Sequence, residues 1–378
     1  MRYEFRLAEL LGHTPDRRKR PGTIKAIVDY TGLDRHQVAS LLKNEAKYIP
    51  LEALSRLCDY LVEHGYANAD ELPGVLFSVK PEHFWELLAR RRRLEICVGV
   101  RRPDNDDKPE TAWVVASDAV LLGEVLSGVT TLGGTDKLAR TQPSTATRDL
   151  PTHPELLRQT LVWSPGINDA GPAIARSNKV YDTFTSSAGD KALICLGSVK
   201  SNPIVDRVVA DTFSGQPFQS EDNVAKASDR RSPFFLRYRD SDPHLPCCSA
   251  GLKLSASEES TQPGIYYEKA DGTWTYAGSQ DSALVMYVYR ESLGRLEMVL
   301  SGFSGRATRL LARTLANRGE EFWPPVYQEN YMQIGAYIVQ YDTGADVGEP
   351  DDILRTDEIG NPNIIPLPVE AIARRMER

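Results

Sequence analysis

The chain has 378 residues, 41% of them apolar, and a formal net charge of −7 at pH 7. That length suits two or three globular domains, and the net negative charge excludes a molecule that binds polyanions over its whole surface. No apolar run approaches the length needed to span a bilayer.

The first element expected is a charged helix, Glu4 to Leu11, followed by the basic segment PDRRKRPG, which is either an arm that touches phosphate or a plain loop. The opening Met1-Arg2-Tyr3-Glu4 has none of the character of a signal peptide, so a cytoplasmic protein is expected. Next come three short amphipathic helices within TIKAIVDYTGLDRHQVASLLKNEAKYIPLEALSRLCDYL. Ile24, Ile27 and Val28 lie at helical spacing up to Tyr30, and Thr31-Gly32 breaks that helix. Asp34 is placed to N-cap the second helix, which has Val38, Leu41 and Leu42 on its inner face. Pro50 suits the first turn of the third, whose apolar stripe is Leu51, Leu54, Leu57 and Leu61.

Two helices joined by a tight Gly-containing turn, the second polar outside, form the helix-turn-helix pattern. Arg35, His36, Gln37, Ser40 and Asn44 are of the types that read base edges, and Lys25, Lys43, Lys47, Arg18 and Lys19 are placed for phosphates. TGLDRHQVASLLKNE followed by IPLEALSRLCDYL resembles a lambda-repressor-like (Cro-type) helix-turn-helix domain over roughly residues 1–66. The resemblance implies sequence-specific binding of double-stranded DNA, usually by homodimers, in transcriptional control. A small helical bundle with a solvated polar face is the plainer reading.

After a connection, VLFSV reads as a strand and KPEHFWELLARRRR as a helix opened by Pro81. Arg90 to Arg93 suit a helix carboxyl end, or alternatively DNA phosphate. LEICVGVRRP is a buried strand. TAWVVASDAVLLGEVLSGV is a strand, a turn with Asp118 and a helix. A Thr, Ser, Gly and Pro-rich stretch from Thr130 to Pro154 reads as loop, and HPELLRQTLVWS as a helix.

KALICLGSVKSNPIVDRVVADTFSG then gives an apolar strand, a small polar turn and a helix opened by Pro203. A strand, a Gly/Ser turn and a helix N-terminus build an anion site, with Gly197, Ser198, Lys200, Ser201 and Asn202 as its donors. SALVMYVYRESLGRLEMVLSGFSGRATRLLARTLAN repeats the layout after a hairpin, with Gly302, Ser304 and Gly305 in the turn. Two such turns can lie side by side at the carboxyl ends of adjacent strands, where open α/β sheets bind ligands. Neither is GxGxxG or a P-loop, so two ordinary strand-to-helix turns remain the alternative. Between them, residues 232–280 read as a β insertion with a hairpin turning at Asp271-Gly272. YMQIGAYIVQYDT adds a strand, and Pro368 to Met376 a short helix.

Of the five cysteines, Cys58, Cys97 and Cys195 sit in apolar runs, and Cys247-Cys248 lie near His244 without further ligands at metal spacing. No metal and no cofactor is expected. GFSGR is not a nucleophile elbow, and His83, His153 and His244 are scattered, so no catalytic residue stands out.

The expected organisation is multidomain: an all-α helix-turn-helix domain at residues 1–66, a connection at 67–78, and an α/β, Rossmann-like mixed-sheet domain at 79–378. The expected function is a transcriptional regulator whose α/β part senses a small anionic, nucleotide- or phosphate-containing ligand. The alternative is a nucleotide- or NAD-processing enzyme with an accessory helix-turn-helix.

Overall fold

A computed structural model describes residues 2–13, 24–69, 72–73, 76–101, 112–132, 156–163, 171–186, 190–218, 230–238, 262–277, 281–329, 332–342 and 361–377. Arg18, Lys19, Cys247, Cys248, His153, His244 and most of the Thr130–Pro154 stretch lie outside them.

The chain opens with a strand, not the expected helix: β1 (Arg2–Phe5) pairs antiparallel with β2 (Phe77–Lys80). The helix that follows is only α1 (Leu7–Leu10). The error is physical, since a strand is set by a partner here more than seventy positions away, and periodicity in a short window does not register it. Then come α2 (Ile24–Thr31), α3 (Arg35–Leu42) and α4 (Leu51–Glu63), as expected from their apolar spacing. Ile27, Val38, Leu57 and Leu61 are fully buried among them, with Leu7 and Leu11 from the first segment and Leu76 from beyond α4. Each such side chain contributes roughly 1.5–3 kcal/mol of transfer free energy, as an upper bound.

Among the described residues nine strands form one mixed sheet. Its spine is a parallel run: β5 (Leu156–Trp163), β3 (Arg93–Arg101), β6 (Lys191–Leu196) and β11 (Arg295–Gly302). Beyond β11 the sheet turns antiparallel through β10 (Ser282–Arg290) and β13 (Met332–Gln340), which also pairs with β12 (Tyr327–Glu329) and β14 (Asn363–Pro366). The short β4 (Trp113–Val114) pairs with the end of β3. Strand β6 shows why this sheet is a central layer. Its residues are all buried, and they alternate between two cores: Ala192, Ile194 and Leu196 on one face, Leu193 and Cys195 on the other. Both faces are therefore covered, as parallel strands require. α5 (Phe84–Ala89), α6 (Ala116–Thr131) and α9 (Gly305–Arg318) cover one face. α7 (Gly171–Thr185), α8 (Ile204–Thr212) and α10 (Val369–Met376) cover the other. A three-stranded sheet, β7 (Phe234–Arg237), β8 (Gly264–Glu268) and β9 (Trp274–Tyr276), joins that second face, with its hairpin at Asp271-Gly272.

Two expectations fail here. The segment around Leu156–Trp163 is strand β5, not a helix. It hydrogen-bonds along the whole of β3 and leaves Leu157 and Leu161 about half exposed, so its apolar residues mimic a helical face while serving an edge strand. The Arg run at the carboxyl end of α5 is not free: Arg90 caps that end as expected but pairs with Glu86 at 3.0 Å, and the buried Arg91 pairs with Asp190 at 3.1 Å. Among the described residues no helix is long and apolar enough to cross a membrane.

Candidate nucleic-acid interface and a second site at the carboxyl edge of the sheet

The turn between α2 and α3 is built by local hydrogen bonds. Thr31 Oγ1 donates to the Ile27 carbonyl at 2.6 Å, and Gly32 follows in the left-handed region. Asp34 caps α3: its Oδ1 accepts from Gln37 N at 2.8 Å, and Gln37 Oε1 accepts from Asp34 N at 3.0 Å. This reciprocal capping box satisfies two otherwise orphan donors and fixes where the helix begins. It also ties Gln37's carbonyl to the cap and leaves its NH2 group to donate.

The first turn of α3 presents Arg35 and His36 to solvent, with Gln37 and Ser40 half-buried behind them. Lys25, Lys43 and Lys47 are exposed. Asn44 is placed differently from the others. It ends α3 with φ +59°, and its Oδ1 accepts from Phe5 N at 2.8 Å, which anchors β1 to the recognition segment. Its side chain serves the fold, so the group with free reach is Arg35, His36, Gln37 and Ser40.

The second candidate site lies where β6 and β11 end. Because these strands are parallel neighbours, the turns at Gly197–Asn202 and Gly302–Gly305 stand side by side, the layout that their sequences implied. Most donors of the first turn are committed internally. Gly197 N goes to Leu300 O, Ser201 N and Asn202 N to Ser198 O, and Ile204 N to Asn202 Oδ1. The Asn202 amide donates to the carbonyls of Cys97 and Leu196 at 2.9 and 3.1 Å, so it staples β3 to β6. Asn202 is fully buried, Ser198 and Ser201 nearly so, and Lys200 half-buried. Gly197 has φ +91°, a conformation open to glycine at little cost.

In the second turn Ser304 caps α9. Its Oγ accepts from Ala307 N at 3.0 Å and donates to Asp281 Oδ1 at 2.9 Å. Asp281 also faces Arg306 at 3.6 Å. Burial and the neighbouring Arg306 both lower the pKa of Arg309, with Asp281 opposing them. Lys200 lies 5.1 Å over the Tyr238 ring and 5.4 Å over that of Phe303. The start of α6 closes the space: a Cβ on Gly305 would stand 3.6 Å from Ser117 Oγ, and one on Gly197 3.1 Å from Asp118 Oδ2. Asp118, Asp281, Arg306 and Arg309 were not assigned to this site from sequence. The sequence put Asp118 in a turn before a helix, whereas it lies in the first turn of α6, and the convergence of α6 on the two turns is a tertiary fact.

The capped two-helix unit with an exposed polar recognition helix is a DNA-binding helix-turn-helix. Residues 17–62 match a family model described as the Cro/C1-type HTH DNA-binding domain. No curated protein and no solved structure matches the chain.

Proposed function

We propose that this protein is a cytoplasmic, sequence-specific transcriptional regulator that binds double-stranded DNA as a homodimer and senses a small anionic ligand through its α/β part. The observation that carries the reading is the α3 N-terminus, fixed by the Asp34–Gln37 capping box and presenting Arg35 and His36 to solvent. That end of the helix enters the major groove in this class of protein. Arg35, His36, Gln37 and Ser40 read bases, while Lys25, Lys43, Lys47, Arg18 and Lys19 contact phosphates. In this reading residues 1–66 are the DNA-binding unit, 67–78 the connection, and 79–378 the sensing unit. We assign the latter a Rossmann-like character from its parallel run β5–β3–β6–β11 and its helices on both faces. The ligand, a nucleotide or other phosphate, sits over the turns at Gly197–Asn202 and Gly302–Gly305.

Dimerisation uses α4. Leu51 is 81% exposed and Val62 38%, at opposite ends of the helix. Between them, Leu54, Cys58, Leu72 and Pro73 line a groove of about 390 Å3. A second copy of α4 laid antiparallel across a two-fold axis covers each end with the other's, an isologous contact. Full-length protein is expected to sediment as a dimer and to recover a palindromic duplex from a random pool. Leu51→Lys is expected to sediment as a monomer and to bind that duplex at least ~10-fold more weakly, since a lysine in an apolar contact is left unpaired. A dimer unaffected by Leu51→Lys would place the interface elsewhere, and a recovered pool without any common sequence would refute the regulator.

A further inference from the structure

Asp118 is the most unusual polar group at the carboxyl edge. It is 4% exposed, in the first turn of α6. Its Oδ1 faces the Ser117 hydroxyl at 3.4 Å, and its Oδ2 has no hydrogen-bond partner among the described residues. Ser201 Oγ, the hydroxyl beside the Gly197 turn, donates to Ser198 O at 3.2 Å. Burial raises the pKa of the Asp118 carboxyl above its ordinary range, with the Ser201 and Ser117 hydroxyls pulling the other way. A buried carboxylate oxygen with an open lone pair is costly unless something donates to it.

The charge of Arg101, at the end of β3, also acts on the Asp118 carboxyl, and further cations stand on the second turn. Arg306 and Arg309 stand near the start of α9, one helical step apart, and Asp281 faces Arg306 there. Lys200 approaches from the first turn over the stacked Tyr238–Phe303 pair. The backbone N–H groups of Gly305 and Arg306, at the start of α9, have no acceptor within the helix. Ser117 lies against Gly305 and Asp118 against Gly197, so the start of α6 touches both turns.

We propose that the cleft takes a phosphorylated sugar, free or as part of a nucleotide, with its phosphate on Arg306, Arg309, Lys200 and the α9 N-terminus and a sugar hydroxyl donating to Asp118 Oδ2. Asp118 is then the group that separates a sugar phosphate from phosphate itself. This rests on the sensing role proposed above for the same site. A hydroxyl, unlike a second anion, meets the buried carboxylate as a donor, and the charge-assisted bond compensates its desolvation.

The test is calorimetric titration of full-length protein with ribose 5-phosphate and with inorganic phosphate. Wild type is expected to prefer ribose 5-phosphate by about tenfold or more. Asp118→Ala is expected to erase that preference while keeping phosphate binding, and Arg306→Gln to weaken both probes. Should Asp118→Ala fail to fold by its thermal transition, the isosteric Asp118→Asn serves, with an expected partial loss of preference and unchanged phosphate affinity. Phosphate binding without any ribose preference in wild type, or a preference that survives both Asp118 variants, would overturn the Asp118 assignment and leave the sensing role standing. No binding of either probe by folded wild type would overturn both.

Discussion

Arg35→Ala is expected to weaken binding to the recovered duplex by about 1–3 kcal/mol, roughly 5- to 150-fold, and to relax discrimination at one base position. The expectation follows from placement. Arg35 is the first residue of α3, it is exposed, and the Asp34–Gln37 box holds the helix start at which its side chain leaves the backbone. A guanidinium there offers two donors to one guanine edge. Lys43→Ala, at the other end of α3, is expected to behave differently. It should weaken selected and random DNA alike and lower the slope of log K against log salt by about one, the mark of a lost phosphate contact. Competition binding at several salt concentrations separates the two patterns. Equal losses on selected and random DNA for Arg35→Ala would mean that this side chain touches backbone.

Asp190→Ala is expected to destabilise the fold by about 3–5 kcal/mol in urea unfolding, the cost of leaving buried charge without its partner. Asp190 stands between two guanidiniums, Arg91 at 3.1 Å and Arg6 at 3.7 Å. Arg6 also pairs with Glu9, and Arg91 lies 4.4 Å over the Tyr289 ring. Burial opposes the charge on Arg6, yet the hydrogen bond and charge of Glu9, with Asp190, hold its pKa above the ordinary arginine value. For Glu9 the balance tips the other way, and burial raises its carboxyl despite Arg6. Without Asp190, Arg6 and Arg91 would face each other with one carboxylate between them. The exposed Glu52–Arg56 pair on α4 is the control: Glu52→Ala should cost no more than about 0.5 kcal/mol, because water screens it. The buried cluster joins the α1 segment of the helix-turn-helix to the sheet at the amino end of β6, while the Gly197 turn stands at the carboxyl end of the same strand.

What could be read from the chain alone divides by distance along it. The turn, cap and apolar stripes of α2, α3 and α4 depend on residues within a few positions of one another, so Asp34, Gly32 and the Leu57 and Leu61 part of the α4 stripe were visible, while Leu51 of that stripe faces solvent. The two strand–glycine–helix turns were visible for the same reason, and the parallel pairing of β6 and β11 then put them side by side. What escaped depends on remote partners. Residues 2–5 are a strand because Phe77–Lys80 pair with them, and Leu156–Trp163 because β3 does. Arg91 is an interior ion because Asp190, 99 positions away, meets it. Asn44 looked like a base reader from its type, but its left-handed backbone and its bond to Phe5 turn it into the fold. Asn202 looked like a ligand donor, and it holds two strands together.

The measurement closest to the central claim is a salt titration of full-length protein on the duplex it recovers from a random pool and on random duplex of equal length. A sequence-specific reader predicts binding to the recovered duplex at least ~1,000-fold tighter than to random DNA at physiological salt, with log K falling linearly in log salt on both. Equal, weak affinity for the two duplexes across the titration would contradict it.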